Sequence, residues 1–480
     1  MQWVERLTNF WPHIAAGFDL LAVLLASSHA LLHKRDPRAA TLWLGFIWLL
    51  PVLGPAAYLV LGVNRIRRRA IKLNVHETLA RPVPENLGEP EAAGADHLKH
   101  LARVVNAVAT RPLAGGNDIR PLLNGDAAFP EMLAAIDAAQ SSVSLGTYIF
   151  DNDQSGRQFA AALGRARQRG VAVRVLVDAA GVRYSWPTIL HELRRQQVPA
   201  ARFLPSSLFQ PWRATTLNLR NHRKLMVVDG AIAFTGGMNI RHGNVLGDHP
   251  KQPVQDLHFR VTGPVVTQLQ EAFANDWAFV TGEVLDGAQW FAPPKECGAV
   301  VARVITDGPD GDFEKLRLTL LAALSEVQDS VLIVTPYFLP DPALVSALNL
   351  AALRGVRVDL ILPAVNNLPY VNWASRAMWW QVLERGCHVW LTPPPFDHTK
   401  LMVVDSHWVL MGSANWDARS LRLNFELNVE CYGREFAGQM EAIIRQKLRG
   451  AREITLAEAD GRLAIVKLRD ATARLFSPFL

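Results

Sequence analysis

Two stretches decide the fold: NHRKLMVVDGAIAFTGGMN at Asn221–Asn239 and DHTKLMVVDSHWVLMGSAN at Asp397–Asn415. Both read H-x-K-x4-D-x6-G-x2-N, and they lie 176 residues apart. A lone H-x-K is noise, but two copies of a five-point pattern at the same internal spacing form a repeat. The similarity extends upstream. SSVSLGTYIF and RGVAVRVLVD in the first half answer DSVLIVTPYF and RGVRVDLILP in the second. Apolar β-rich runs alternating with alanine-rich amphipathic stretches predict βαβ units around a mainly parallel or mixed sheet, built twice.

The spacing carries chemistry. His222 and Lys224 are two apart in a β-branched run and so share one strand face, as do His398 and Lys400. Asp229 and Asp405 belong to the same candidate catalytic pattern. They lie seven residues from their histidines, at opposite parity, and Asp229 opens an Asp-Gly hairpin turn. Their expected part is to brace that turn. Asn239 and Asn415, with Ser413, fall in glycine-containing segments where backbone can approach an anion, and are the candidate phosphate-binding residues. Packing the halves about a pseudo-two-fold axis would put two histidines across one pocket. That suits metal-free attack on a phosphodiester, with one histidine as nucleophile, the other as proton donor, and Lys and Asn on the non-bridging oxygens. Glu426 lies 28 residues after His398 and Asp256 lies 34 after His222; both are candidates to orient the imidazoles. There is no His/Asp/Glu cluster at metal-ligand spacing, so neither metal nor cofactor is expected.

Composition bounds the rest. The 480 residues are 50% hydrophobic and 20% charged, with mean hydropathy +0.09, which excludes a disordered chain and a polytopic transporter. Three scattered cysteines exclude a disulfide scaffold. A pI near 9.3 favours anionic partners. The apolar excess is N-terminal. ATLWLGFIWLLPVLGPAAYLVLG, residues 40–62, runs 23 residues without a charge. At ~1.5 Å per residue one helix of it would reach ~34 Å, enough for a bilayer core. The earlier stretch 14–32 is the weaker span, because Asp19 near its middle costs ~2.5–3.5 kcal/mol on insertion scales. No basic n-region or small-residue cleavage site frames it, so a cleaved signal peptide is not expected. The basic residues Arg65, Arg67, Arg68, Arg69 and Lys72 outnumber Lys34, Arg35 and Arg38, which predicts a hairpin with the body in the cytoplasm.

The duplicated pattern resembles the HKD signature of the phospholipase D superfamily. The segment KRDPRAATLWLGFIWLLPVLGPAAYLVLG resembles the membrane region that precedes it in bacterial cardiolipin synthases. GVAVRVLVD, NLRNHRK, TPYFLPD and SANWDARSLRLNFE sit where that family has similar strings. The resemblance implies an α/β fold of two tandem phospholipase D-like domains on a pseudo-two-fold axis, behind a transmembrane helical hairpin. It implies His222 as nucleophile and His398 as general acid, with Glu426 as the better match to the family's acidic orienter. The domains expected are 1–73 (hairpin), 74–115 (linker and lead-in helix), 116–295 and 296–480. The expected function is phosphatidyl transfer between two phosphatidylglycerol molecules in the inner membrane, with no nucleic-acid partner. The rivals are a hydrolytic phospholipase D, a membrane-tethered nuclease and an idle scaffold. Weaker features are Leu208, Phe209, Trp212 and Arg213 before the first motif, Trp373, Trp379 and Trp380 (helical core ahead of membrane contact), and Arg419 and Arg422 as phosphate or carboxylate partners.

Overall fold

Fifteen strands form one continuous mixed sheet, and each half contributes seven of them in the same order. Outward from the seam, the first half runs Ala114–Leu123, Leu257–Thr262, Ile232–Gly236, Leu225–Val228, Ser142–Thr147, Ala172–Asp178 and Ala200–Phe203. The second runs Val300–Asp307, Glu426–Tyr432, Trp408–Gly412, Leu401–Val404, Ser330–Val334, Arg357–Pro363 and His388–Thr392, with Arg452–Ile454 added antiparallel at its edge. The last three shared strands of each half are parallel and the others antiparallel. The structure is a computed structural model that describes residues 2–34, 37–62, 94–205, 219–309 and 312–477. The chain divides into two units, residues 1–69 with 206–219 and residues 70–205 with 220–480.

The repeated R-G-V strings have a local cause. Gly170 and Gly355 both sit at φ +92°, the left-handed backbone that ends a helix. Val171 N–H bonds back to Ala166 O and Val356 N–H to Ala351 O, closing a Schellman turn in each half. The preceding arginine then ties the end of this helix to the end of the helix before it, Asn124–Ala138 in the first half and Lys315–Glu326 in the second. Arg169 donates to Ile136 O, and Arg354 donates to Leu324 O and Val327 O. The two helices so ended, Gln154–Gln168 and Pro342–Leu353, start on Asp153 and Asp341, whose carboxylates cap Gly156 N–H and Ala343 N–H. Their apolar faces fill two cores, one around Phe129, Phe159 and Leu163 and one around Leu320, Leu344 and Leu348.

At the seam, Ala114–Leu123 and Val300–Asp307 run antiparallel with a break in register between Ala114 and Asn117. The first strand opens two residues before the boundary expected at 116. Arg303 on the seam strand pairs with Glu430 on its neighbour, both wholly buried. Glu430 also accepts from Trp408 Nε1 and Tyr432 Oη. Of the three tryptophans read as helical core, Trp379 is buried, Trp380 is 41% exposed and Trp373 lies under the Arg469 guanidinium.

The membrane unit corrects the expectation. The stretch read as the weaker span belongs to a 32-residue helix, Gln2–His33, of which His13–His33 is long and apolar enough to cross a membrane. The run 40–62 is not one helix. It breaks into Pro37–Leu49, Leu53–Ala57 and a π-helical turn Tyr58–Gly62. Pro51 supplies no N–H and disfavours helical backbone at Leu50 before it. Gly54 then lies against the Ile47 backbone, where a Cβ would come within 2.6 Å of Ile47 Cα. Ile47 and Tyr58 pack with Val23, Ala26 and Ala30 of the long helix, and His29 Nδ1 meets Tyr58 Oη at 2.8 Å. The positive-inside residues Arg65, Arg67, Arg68, Arg69 and Lys72, and the stretch with Leu208, Phe209, Trp212 and Arg213, lie outside the described residues, as do residues 74–93 of the segment expected over 74–115.

Replacing Arg303 by Met would leave Glu430 charged and unpaired in the seam, at a cost of ~3–5 kcal/mol. The melting temperature of the purified protein should fall sharply, and adding Glu430→Gln should restore part of it.

Candidate active site

Each histidine enters the site on an extended segment held by the opposite half. His222 N–H donates to Phe425 O (2.9 Å) and Phe425 N–H to Arg220 O (2.8 Å). In the mirror position Phe396–Asp397 pairs in parallel with Val254–Gln255, and His398 N–H donates to Gln255 O at 2.8 Å. The residue before each histidine is tied to its own half's long helix. Asn221 Nδ2 bonds Asp276 on Val265–Thr281, and Asp397 accepts from Lys447 on Arg434–Leu448.

The side chains cross in the same way. His222 Nδ1 lies 3.0 Å from both carboxylate oxygens of Glu426, and His398 Nδ1 lies 2.8 Å from Asp256 Oδ2. The sequence distances, counted within each half, suggest the opposite pairing. The structure exchanges the partners, because Phe425–Glu426 and Gln255–Asp256 are the segments that lie beside the other half's histidine. A carboxylate on Nδ1 fixes the tautomer and leaves Nε2 for chemistry. Both histidines line one cavity of about 780 Å³.

Burial is the largest influence on both imidazoles and pushes each down to about 4, against the opposing pull of its carboxylate. Burial also lowers the two lysines, Lys400 to about 8 and Lys224 well below its usual range. Burial works to raise the two carboxyls, yet the facing histidines and lysines hold Glu426 and Asp256 below the ordinary carboxyl range. Burial thus favours neutral imidazoles beside ionised carboxylates. Lys224 Nζ donates to His222 O at 2.6 Å, and Lys400 Nζ makes the same bond to His398 O. Each lysine thereby fixes the backbone of its own histidine.

The asparagines and the serine part company. Asn239 and Asn415 line the cavity; Asn239 Oδ1 accepts Ile149 N–H and Asn415 Nδ2 reaches Ser420 Oγ at 3.3 Å. Ser413, expected on phosphate, instead donates its hydroxyl to Glu426 and does not line the cavity. Its counterpart is Gly237, where a Cβ would stand 2.3 Å from Asp256 Oδ1. The tight seat of the carboxylate admits no side chain there. Asp229 and Asp405, grouped with the catalytic pattern and expected to brace the turn, stand at the hairpin turns rather than at the cavity. Asp229 accepts the N–H groups of Gln140, Ser141 and Ser142, and Asp405 those of Gln328, Asp329 and Ser330. Their backbones take φ 53° and 49° at hairpin turns, and neither residue lines the cavity.

Several cavity residues escaped the sequence reading. Tyr148 and Tyr337 stand edge-on to His222 and His398, with ring centroids 5.2 and 6.3 Å away. The signal was a tyrosine just after the matching strand in each half, in TYIF and TPYF. Arg220 shares strand parity with His222, and Arg241 follows Asn239 by two; both line the cavity. Arg419 lines it and Arg422 does not. Among the described residues no group of three His, Cys, Asp or Glu side chains could hold a metal ion.

The comparisons with known proteins agree with this geometry. The family described as "Cardiolipin synthase, PLD-like domain" matches residues 132–277 and 320–448, and "Phospholipase_D-nuclease N-terminal" matches residues 20–62. Cardiolipin synthase A of Pseudomonas fluorescens (strain SBW25) is 32% identical over 98% of this chain and 99% of its own. A cardiolipin synthase of Geobacillus kaustophilus (strain HTA426) is 31% identical over 99% and 96%. The crystal structure of a phosphatidylserine synthase from Haemophilus influenzae Rd KW20 superposes with a TM-score of 0.61 at 14% identity, covering 79% of this chain and all of that one, which shows the fold alone.

The crossed pairing is testable by imidazole nitrogen NMR. Glu426→Gln should move the His222 Nδ1 resonance and leave His398 in place, while Asp256→Asn does the reverse. Each change should lower turnover by about 10²-fold, the usual cost of losing a histidine's orienting carboxylate.

Proposed function

The chain belongs to the phospholipase D-type cardiolipin synthases, and on that premise we propose that it joins two phosphatidylglycerol molecules through a phosphatidyl-histidine, giving cardiolipin and glycerol. The single observation carrying this reading is the pair of histidines on one cavity, each fixed at Nδ1 by the carboxylate of the opposite half.

His222 Nε2 attacks phosphorus, the phosphorus–oxygen bond to the departing glycerol breaks, and His398 gives that oxygen its proton. A second phosphatidylglycerol then yields its hydroxyl proton to His398, its oxygen attacks phosphorus, and the phosphorus–nitrogen bond breaks. The acid step needs an imidazolium, which burial disfavours. An entering phosphodiester supplies the missing negative charge beside His398 and raises its proton affinity. Substrate binding thus arms the acid. The amides of Asn239 and Asn415 receive the non-bridging oxygens, and the two lysines, buried behind the histidines, add positive potential. Phosphatidylglycerol serves as both donor and acceptor in this reading.

The body consists of two equivalent halves, 116–295 and 296–480, and the N-terminal unit is a two-pass hairpin that leaves both termini and the body on the cytoplasmic side. A thiol-specific, membrane-impermeant label on single cysteines placed at residues 2 and 34 of the full chain in sealed inverted vesicles tests this. Residue 2 should label without detergent and residue 34 only after lysis; the opposite pattern overturns the orientation.

The histidine roles are tested by trapping labelled phosphatidylglycerol. His222→Ala should hold no covalent lipid. His398→Ala should make almost no cardiolipin, yet should be labelled by a donor whose leaving group departs without a proton. Labelling that survives in His222→Ala and vanishes in His398→Ala reverses the roles. Phosphatidic acid in place of four-chain lipid from the intact protein makes it a hydrolase.

A further inference from the structure

The last helix, Ala464–Arg474, turns its apolar side outward. Ile465 is 70% exposed, Leu468 63%, Leu475 74% and Phe476 58%. Leu475 N–H and Phe476 N–H bond back to Thr472 O and Ala473 O, so the helical path carries these two side chains onto the same arc. At 3.6 residues per turn, positions 465, 468, 472, 475 and 476 share that arc. Arg469 adjoins it on one edge, and beyond the other edge come Ala464 and Ala471 and then the exposed Lys467. Thr472, the one polar position within it, returns its hydroxyl to Leu468 O. An apolar stripe with cations outside it is the pattern of a helix lying in a membrane interface.

The opposite side of this helix is fastened to the body. Asp470 is fully buried and takes Arg462 and Arg469. Arg462 also donates to Arg376 O at 3.0 Å, and the Arg469 guanidinium stands 4.6 Å over the Trp373 ring. Both contacts fall on the helix Pro369–Arg376, whose Tyr370 and Val371 line the catalytic cavity. The exposed stripe is therefore one helix removed from the cavity wall. Tyr370 itself is 46% exposed.

We infer that the outward face of Ala464–Arg474 docks on an anionic lipid bilayer and seats the adjacent cavity wall at the surface from which the lipid substrate enters. The occupant is a lipid surface because the helix carries the basic Arg469 and Lys467 outside the stripe, its one carboxylate, Asp470, is buried, and the stripe continues toward a cavity for a two-chain phospholipid. The last point rests on the function proposed above; the others do not.

The test uses the full chain in vesicles of phosphatidylcholine and phosphatidylglycerol, with Cys297, the exposed cysteine, changed to Ser and nitroxides placed at Leu468→Cys or Leu475→Cys. Both labels should relax with oxygen dissolved in the bilayer and be shielded from a water-soluble nickel chelate. A label at Gln168→Cys, exposed on the first half, serves as the aqueous reference. Free access of nickel to Leu468→Cys overturns the inference. So does dipolar broadening between copies, or a label shielded from both reagents, since these place protein on the stripe. A second arm reads activity. Leu468→Glu with Leu475→Glu should lower transfer on vesicles about 10-fold, with turnover on dispersed short-chain lipid within about 2-fold of the parent. Equal loss on both substrates overturns the docking role. The nitroxide result is independent of catalysis, so an error in the assigned reaction leaves it standing.

Discussion

The bond from each cavity imidazole to a carboxylate of the other half is the constraint on which the rest depends. Neither half carries a complete acid–base unit. His222 needs Glu426 and His398 needs Asp256, with backbone bonds from Phe425 and Gln255 aligning each segment. The exchange is possible only because both halves share one sheet, with Val300–Asp307 and Ala114–Leu123 as adjacent strands at its centre. A buried carboxylate without its imidazole would carry several kcal/mol of unrelieved burial cost, so the pairs also hold the halves in register.

The same crossing sets the electrostatics. Two histidines, two lysines and two carboxylates sit buried together, where interactions are stronger than in bulk solvent. Burial pulls the cations down and the carboxylates pull them back. A phosphodiester in this site favours imidazolium and ammonium together, and its own charge is met by groups already oriented. The site spends little reorganisation at the moment of reaction, which is the basis of electrostatic catalysis.

The pseudo-symmetry is broken where function needs direction. Glu426 is gripped by Ser413 and Asn424 as well as His222, while Asp256 sits over Gly237 and takes the Leu257 N–H. Arg220, two residues before His222, is matched by Phe396 before His398, and both line the cavity. Two ends built on one backbone plan thus differ in polarity. That difference fits the distinct nucleophile and acid roles proposed for the two histidines.

By itself the sequence determined the duplication, the βαβ alternation and the bracing aspartates, because these are local. A left-handed glycine after a helix and an Asp at a hairpin turn act over a few residues, whereas the shared strand face expected of each histidine and lysine falls just before the strands that open at Leu225 and Leu401. Glu426 and Asp256 were legible as carboxylates near the right strands. Their crossed partners were decided only by the tertiary structure, because pairing across a seam leaves no mark in spacing along the chain. The same holds for Ser413, whose hydroxyl could serve a phosphate or a carboxylate until the fold placed Glu426 beside it. In the membrane unit, hydropathy located the apolar residues correctly, but it sums composition and ignores backbone. Pro51 and the close packing of Gly54 on Ile47 split one apolar run and left the stretch carrying Asp19 as the long helix.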